Sequence, residues 1–284
     1  MLLIFRPKNL FLIALLQCLI LIEAGDYNYL FFNTAKTIYL LLSTLLIAAA
    51  GYVINDYFDV KIDLINKPTK VIIGNKIPRR WAIIIHVTLT SIGLGCAWLV
   101  NIYTFIIALV CALLLYVYSA AFKKQFLIGN LAIALLSALS VWICKAYINE
   151  LFTVKILAYA TFAALCTFIR EVIKDLEDEK GDAVFQSNTL AINLGLRKTK
   201  KIILASAIIL LIGIIFYPLL VPSWVIMPDF LQFAYPLYLW IGAGIPLIYF
   251  IIKLIKSDKQ KDFAQLSRLM KLIMLIGIFS IVLC

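Results

Sequence analysis

The stretch GYVINDYFDVKIDLINKP, residues 51–68, decides how this chain is read. It follows an apolar run long enough to cross a bilayer and places Asn55, Asp56, Asp59 and Asp63 where hydrocarbon gives way to something polar. Carboxylates at such a boundary are costly unless they are solvated, paired or bound to a metal. On a helix, Asn55, Asp59 and Asp63 follow i, i+4, i+8, and Asp56 lies three residues before Asp59, so all four share one face over about two turns. Like charges this close repel, which suits a divalent cation between them. Asp and Asn oxygens with water are the hard ligands that magnesium takes. Alone, the stretch is equally compatible with a solvated helix end.

The rest of the chain makes it a membrane boundary. Of 284 residues 64% are hydrophobic and 14% charged, with a mean hydropathy of +1.03, whereas soluble domains carry roughly 25% charged residues. This composition excludes a soluble globular domain and predicts one all-α transmembrane domain over residues 1–284. The six cysteines form no CxxC pair and read as small buried hydrophobes, not zinc ligands or disulfides. His86 is the only histidine, which removes histidine-based metal sites. The apolar run 10–22 lacks a small-x-small cleavage site and is read as a retained first helix. Nine spans of near ~20 residues are expected, near 9–25, 36–57, 82–100, 102–121, 126–149, 152–175, 201–221, 232–254 and 268–284.

Charge sorts these spans. With nine, all of the 26 Lys and Arg residues except Lys36, Lys145 and Lys155 fall on one side. The positive-inside rule makes that side cytoplasmic, in a cell (inner) membrane. Topology and anionic lipid headgroups account for the net charge of +11, so no nucleic-acid partner is implied, and no obligate protein partner either. Residues 217–240, rich in Tyr, Trp and Pro, read as an interfacial connection on the opposite side.

A second acidic stretch, REVIKDLEDEKGD (170–182), closes the sixth span. Glu171, Asp175, Asp178 and Asp182 are spaced by 4, 3 and 4, with Glu179 four after Asp175 and with Arg170, Lys174 and Lys180 interleaved. Gly181 is expected to end the helix, leaving Asp182 in the cap or loop. Both acidic stretches close even-numbered spans, so they face the same compartment beside basic loops. Two facing carboxylate clusters can hold magnesium, the metal can bind a diphosphate, and basic side chains can take the remaining phosphate oxygens.

At this point the residues resemble the UbiA superfamily of intramembrane prenyltransferases. The resemblance rests on N-D-x-x-D-x-x-x-D ending span 2, the D-x-E-D-x-x-G-D motif ending span 6, and the nine spans. RPKNL before span 1, INKPTKVIIGNKI after the first motif and YVYSAAFKKQFLIGN between spans 4 and 5 add support. It implies helices around a central cavity under a polar cytoplasmic cap, and Mg-dependent transfer of a prenyl group from a polyprenyl diphosphate to a lipophilic acceptor. Asn55, Asp56, Asp59 and Asp63 would bind one magnesium and the diphosphate; Asp175, Asp178 and Asp182, with Glu179, would do so opposite. Lys67, Lys70 and Lys123, with Arg170 and Lys174, would contact diphosphate. Lys67 and Lys70 stand where many members have arginine, so a point-charge contact survives and a bidentate fork does not. Asp59 and Asp175 would be central to catalysis. Tyr116 and Tyr118, ending span 4 on the same side, are candidates to face a cationic allylic carbon, and equally read as interfacial tyrosines.

VIKDLEDEKGD is most similar to the branch acting on geranylgeranylglycerol phosphate, and Arg170, Lys174, Arg197 and Lys198 suit a phosphorylated acceptor. Aromatic acceptors of quinone or haem biosynthesis are the alternative. A cation-coupled transporter is the alternative of another class, but it predicts carboxylates near the bilayer midplane in broken helices. The D-G-x-x-A-R core of a CDP-alcohol phosphotransferase is absent.

Overall fold

A computed structural model describes residues 2–24, 34–66, 68–147, 153–185, 187–220 and 229–283. Within them the chain is helical apart from short connections, without a β-strand. The helices are α1 (Pro7–Ala24), α2 (Thr34–Asn66), α3 (Arg79–Val100), α4 (Ile102–Ala120), α5 (Ile128–Trp142), α6 (Thr153–Val184), α7 (Leu190–Leu220), α8 (Asp229–Tyr238), α9 (Ile245–Lys256) and α10 (Gln260–Phe279). A π-helical turn, Leu239–Gly244, joins α8 to α9 into one run. Among the described residues, eight helical segments are long and apolar enough to cross a membrane. The 18-residue α1 packs against α2 and α10 but is not one of the eight. An all-α membrane architecture is therefore observed, with eight qualifying spans against the nine expected.

Apolar composition alone does not separate lipid-facing from core-facing positions, and packing does. On α3 and α4 only a small share of the span is buried, and Ile84, Val87, Trp98, Ile106 and Leu113 lie outside the fold. On α6 half the span is buried, because α5, α7 and α10 all pack on it. The main core gathers Ile169, Val172 and Ile173 of α6 with Leu247, Phe250 and Leu254 of α9 and Leu266, Met270 and Ile273 of α10. A second core joins Leu16, Ile20, Leu40, Val141, Ile143 and Ile156 at the opposite end of α1, α2, α5 and α6 from the acidic motifs.

Two helices run further than the hydrophobic pattern suggests. α2 continues to Asn66, carrying Asp59 and Asp63 in regular helix. α6 passes through Gly181 and Asp182 to Val184; the expected stop at Gly181 is not there. One glycine costs about 1 kcal/mol in a helix interior, too little to end a helix this well packed. A separate break falls at Gly195 inside α7, whose φ of 69° and ψ of 170° interrupt that helix. Beyond α2, residues 68–78 fold back, with Gly74 at φ 91°. Ile73 and Ile77 bury against Ile4, Val53 and Ala82, so this connection caps the acidic end of α2.

Candidate functional site

A cavity of about 1030 Å³ opens between α1, α2, α4, α5, α6 and α10. Its walls bring both acidic motifs together: Asn55, Asp56, Asp59 and Asp63 from α2, and Glu171, Asp175, Asp178 and Asp182 from α6. Lys123, Arg170 and Lys174 also line it. The regular helical course of both segments explains the convergence, since i, i+4 spacing keeps each carboxylate row on one face.

Four of these carboxylates are held by neighbouring side chains. Asp59, 4% exposed, accepts from Asn55 Nδ2 at 2.8 Å and pairs with Lys123 Nζ. Arg6 donates to Asp56 at 2.6 Å and lies over the Tyr52 ring, 5.0 Å from its centroid. Glu171 accepts from Arg170 at 3.0 Å and from Lys174 at 3.0 and 3.2 Å. Asn130 Nδ2 donates to Asp175 at 2.9 Å. Burial works against the charge on Lys123, but Asp59 outweighs it and the ammonium pKa sits above its ordinary value. Arg6 behaves the same way, with burial opposing and Asp56 prevailing. Both cations are thus fixed in charge at neutral pH.

The turn holding Lys123 is built by sequence-local geometry. Residues Phe122–Lys124 form one 3-10 turn, and Leu127 at φ 63° reverses the chain into α5. Gly129 lies so close behind that a Cβ there would stand 2.7 Å from the Phe122 carbonyl oxygen. Asn188 N donates to the Lys124 carbonyl at 2.9 Å, tying the α6–α7 connection to the same turn.

Among the described residues, no three His, Cys, Asp or Glu side chains converge as a ready-made metal cage. Magnesium does not need one, since one or two carboxylates plus substrate phosphates usually suffice. The donor set fits that mode: hard oxygens on two walls of one cavity, with cations interleaved. Buried polar atoms without a protein partner point the same way, namely Arg170 Nε, Ser187 Oγ and Thr189 Oγ1, all in residues of the cavity wall.

Some sequence-based assignments land elsewhere. Glu179 is exposed and outside the cavity wall, although it shares the helix. Tyr116 is 47% exposed and packs on Phe58 and His86, whereas Tyr118 is buried and lines the cavity. Arg197 and Lys198 are exposed, past the break at Gly195, and do not line it. Lys67 and the Lys70 side chain lie outside the described residues, as do 221–228 of the aromatic connection. Sequence reasoning missed Arg6, Asn130, Lys8, Arg268 and Lys271, all in the wall. The motif RPKNL was the one signal available for Arg6 and Lys8.

Comparison with known proteins finds relatives in sequence and in fold. A digeranylgeranylglyceryl phosphate synthase of Sulfurisphaera tokodaii is 37% identical over 178 residues, covering 61% of this chain and 64% of the relative. Another, of Saccharolobus solfataricus, is 34% identical over 248 residues, covering 86% and 84%. The solved structure of a UbiA homologue from Archaeoglobus fulgidus bound to DMAPP and Mg2+ superposes with a TM-score of 0.69 at 19% identity, over 99% of this chain and 98% of that one. The UbiA prenyltransferase family model matches residues 12–275. With a bilayer-spanning helical bundle and two acidic motifs facing one cavity, this chain belongs to the UbiA prenyltransferase family.

Proposed function

We propose that this integral membrane enzyme transfers a geranylgeranyl group from its diphosphate to the free hydroxyl of a geranylgeranylglycerol phosphate. The C1–O bond to diphosphate breaks as an ether C1–O bond to the glycerol oxygen forms, and the hydroxyl proton leaves with the diphosphate. Magnesium, held by Asp56 and Asp59 on one wall and Asp175, Asp178 and Asp182 on the other, would supply electrophilic stabilisation of the leaving diphosphate. Lys123, Lys67 and Lys70 are assigned to diphosphate oxygens, and Tyr118 to the developing allylic cation. Asn55 and Asn130 orient Asp59 and Asp175. The cavity mouth is placed on the cytoplasmic side of the cell membrane, following the charge bias.

A cluster of cations in the cavity wall carries the choice of acceptor. Lys271 has Arg170, Lys174, Lys8 and Arg6 as charged neighbours. The ion pairs inside this group supply two carboxylates, Asp56 and Glu171. Arg268 lines the same wall. A phosphate monoester on the acceptor can accept charge-assisted hydrogen bonds from this cluster, which a neutral acceptor cannot. Relatives named for digeranylgeranylglyceryl phosphate support the same acceptor. A test offers the purified protein geranylgeranyl diphosphate with geranylgeranylglycerol phosphate, its dephosphorylated form, or a 4-hydroxybenzoate-type acid. Product from the phosphorylated glycerol alone is expected; product from the aromatic acid alone overturns the assignment.

A further inference from the structure

The connection from α6 to α7 carries two hydroxyls that the fold itself does not use. Ser187 and Thr189 are 2% and 4% exposed, and both line the cavity. Neither Ser187 Oγ nor Thr189 Oγ1 has a hydrogen-bond partner among the described residues. The backbone around them is firmly held. Ser187 N donates to the Asp182 carbonyl at 3.0 Å, and Asn188 N donates to the Lys124 carbonyl at 2.9 Å. The Thr189 carbonyl accepts from Asn193 N at 3.0 Å and from Asn193 Nδ2 at 3.1 Å.

Two of these bonds decide where the hydroxyls stand. One anchor, Asp182, closes the acidic row of α6; the other, Lys124, belongs to the turn that carries Lys123. Both anchors and Lys123 lie in the cavity wall. The segment 187–189 is therefore strung between the second acidic motif and the lysine paired with Asp59.

The unused hydroxyls are the unexpected part. Thr189 immediately precedes α7, where a threonine hydroxyl ordinarily accepts from an N–H of the first helical turn. Its oxygen makes no such bond. A buried hydroxyl without a partner destabilises the fold, and an apolar side chain of the same shape avoids that penalty. Each hydroxyl is also a donor whose hydrogen rotates to suit an acceptor. Asp178 and Asp182 in the same wall repel a bare anion, but a diphosphate that arrives with Mg2+ brings its own counter-charge. Phosphoryl oxygens of donor and acceptor share the chemistry to meet these donors. The place between Asp182 and the Lys123 turn favours the diphosphate, since Arg268 and Lys271, assigned to the acceptor, stand on α10.

We propose that Ser187 and Thr189 form a hydroxyl clasp that donates to oxygens of the Mg2+-bound diphosphate and sets how tightly prenyl donor and released diphosphate are held. The role in turnover rests on the prenyltransferase reading above; the binding does not.

Isothermal titration of the purified protein in lipid nanodiscs with inorganic diphosphate and Mg2+ reads the clasp without turnover. Ser187→Ala and Thr189→Val are each expected to weaken binding about tenfold, the factor carried by one hydrogen bond to a charged group. Thr189→Ser keeps the hydroxyl and is expected to stay within about threefold of wild type. Thr104→Val removes a fully buried, unpartnered hydroxyl of α4 outside the cavity wall, and is expected to leave binding unchanged. In turnover assays the KM for prenyl diphosphate should rise with the titrated Kd, while the KM for the phosphorylated acceptor stays at its wild-type value. Diphosphate affinity within about threefold of wild type once both hydroxyls are removed overturns the proposal. So does a change confined to the acceptor's KM, or an equal loss in Thr104→Val. Where the double variant does not fold, each single variant is judged by the same threshold. Wild-type protein that binds no diphosphate overturns the clasp as well. Diphosphate binding that weakens as expected, in a protein that transfers no prenyl group, upholds the clasp and overturns the reaction instead.

Discussion

Replacing Asp59 by asparagine removes one charge and almost no volume. The carboxylate is 4% exposed, receives Asn55 at 2.8 Å, and pairs with Lys123. Unit charges about 4 Å apart interact by about 4 kcal/mol at an effective dielectric of 20. A site that loses one such contact to the cations that would hold the departing diphosphate loses about 3–4 kcal/mol of its stabilisation, or roughly 10²–10³ in kcat. Diphosphate release by purified protein with saturating substrates measures this directly, and thermal unfolding in detergent confirms that the variant is folded. Asp175→Asn on the facing wall is expected to cost a similar factor. Because the two walls would grip one leaving group, the double variant should fall little below either single one. A folded Asp59→Asn enzyme within about threefold of wild-type kcat refutes the reasoning.

Other perturbations separate neighbouring residues. Tyr118→Leu should lower kcat by about tenfold or more, as loss of an aromatic face to a desolvated cation implies, while Tyr116→Leu should leave turnover unchanged; steady-state kinetics of both variants checks this. Arg6→Ala, which removes the 2.6 Å contact to Asp56, should cost more than Arg6→Lys, which keeps the charge but not the guanidinium fork; kcat/KM of the two variants is the readout. Burial lowers the Lys123 pKa less than Asp59 raises it, so the folded value lies above 10.5. The pair's contribution is then full below that value and fades only as pH rises through the raised one. Wild type and Lys123→Arg should consequently share one pH–rate profile up to about pH 9.5; a divergence below it contradicts the assignment. Gly129→Ala drives a methyl against the Phe122 carbonyl and should reduce activity by displacing Lys123, with unfolding temperature reporting how much of the loss is folding.

The acidic motifs were readable because helical period needs no tertiary information: Asn55, Asp59 and Asp63 share a face wherever the helix goes. The pairing of those acids was not. Arg6 meets Asp56 across 50 residues of sequence and Asn130 meets Asp175 across 45, and no local pattern announces contacts between distant helices. Hydropathy placed the end of span 2 near residue 57, yet α2 runs on to Asn66. Charged turns hide from hydropathy, although a capped and paired helix accepts them. The two tyrosines were separable in principle, since positions two apart on a helix point about 200° apart. One had to leave the cavity, and only packing against Phe58 and His86 shows that it is Tyr116. Hydropathy also placed a first span near 9–25, where α1 forms an 18-residue helix that is not among the eight qualifying segments.

The central claim is that two facing acidic motifs hold a magnesium-bound diphosphate while its prenyl group moves to a phosphorylated glycerol. The most direct measurement follows purified protein with geranylgeranyl diphosphate and geranylgeranylglycerol phosphate, quantifying diphosphate and ether product together, with and without a chelator. The account predicts one diphosphate per ether bond, abolished by chelation and restored by added Mg2+. Turnover that persists undiminished under excess chelator, or diphosphate released without ether product, contradicts it.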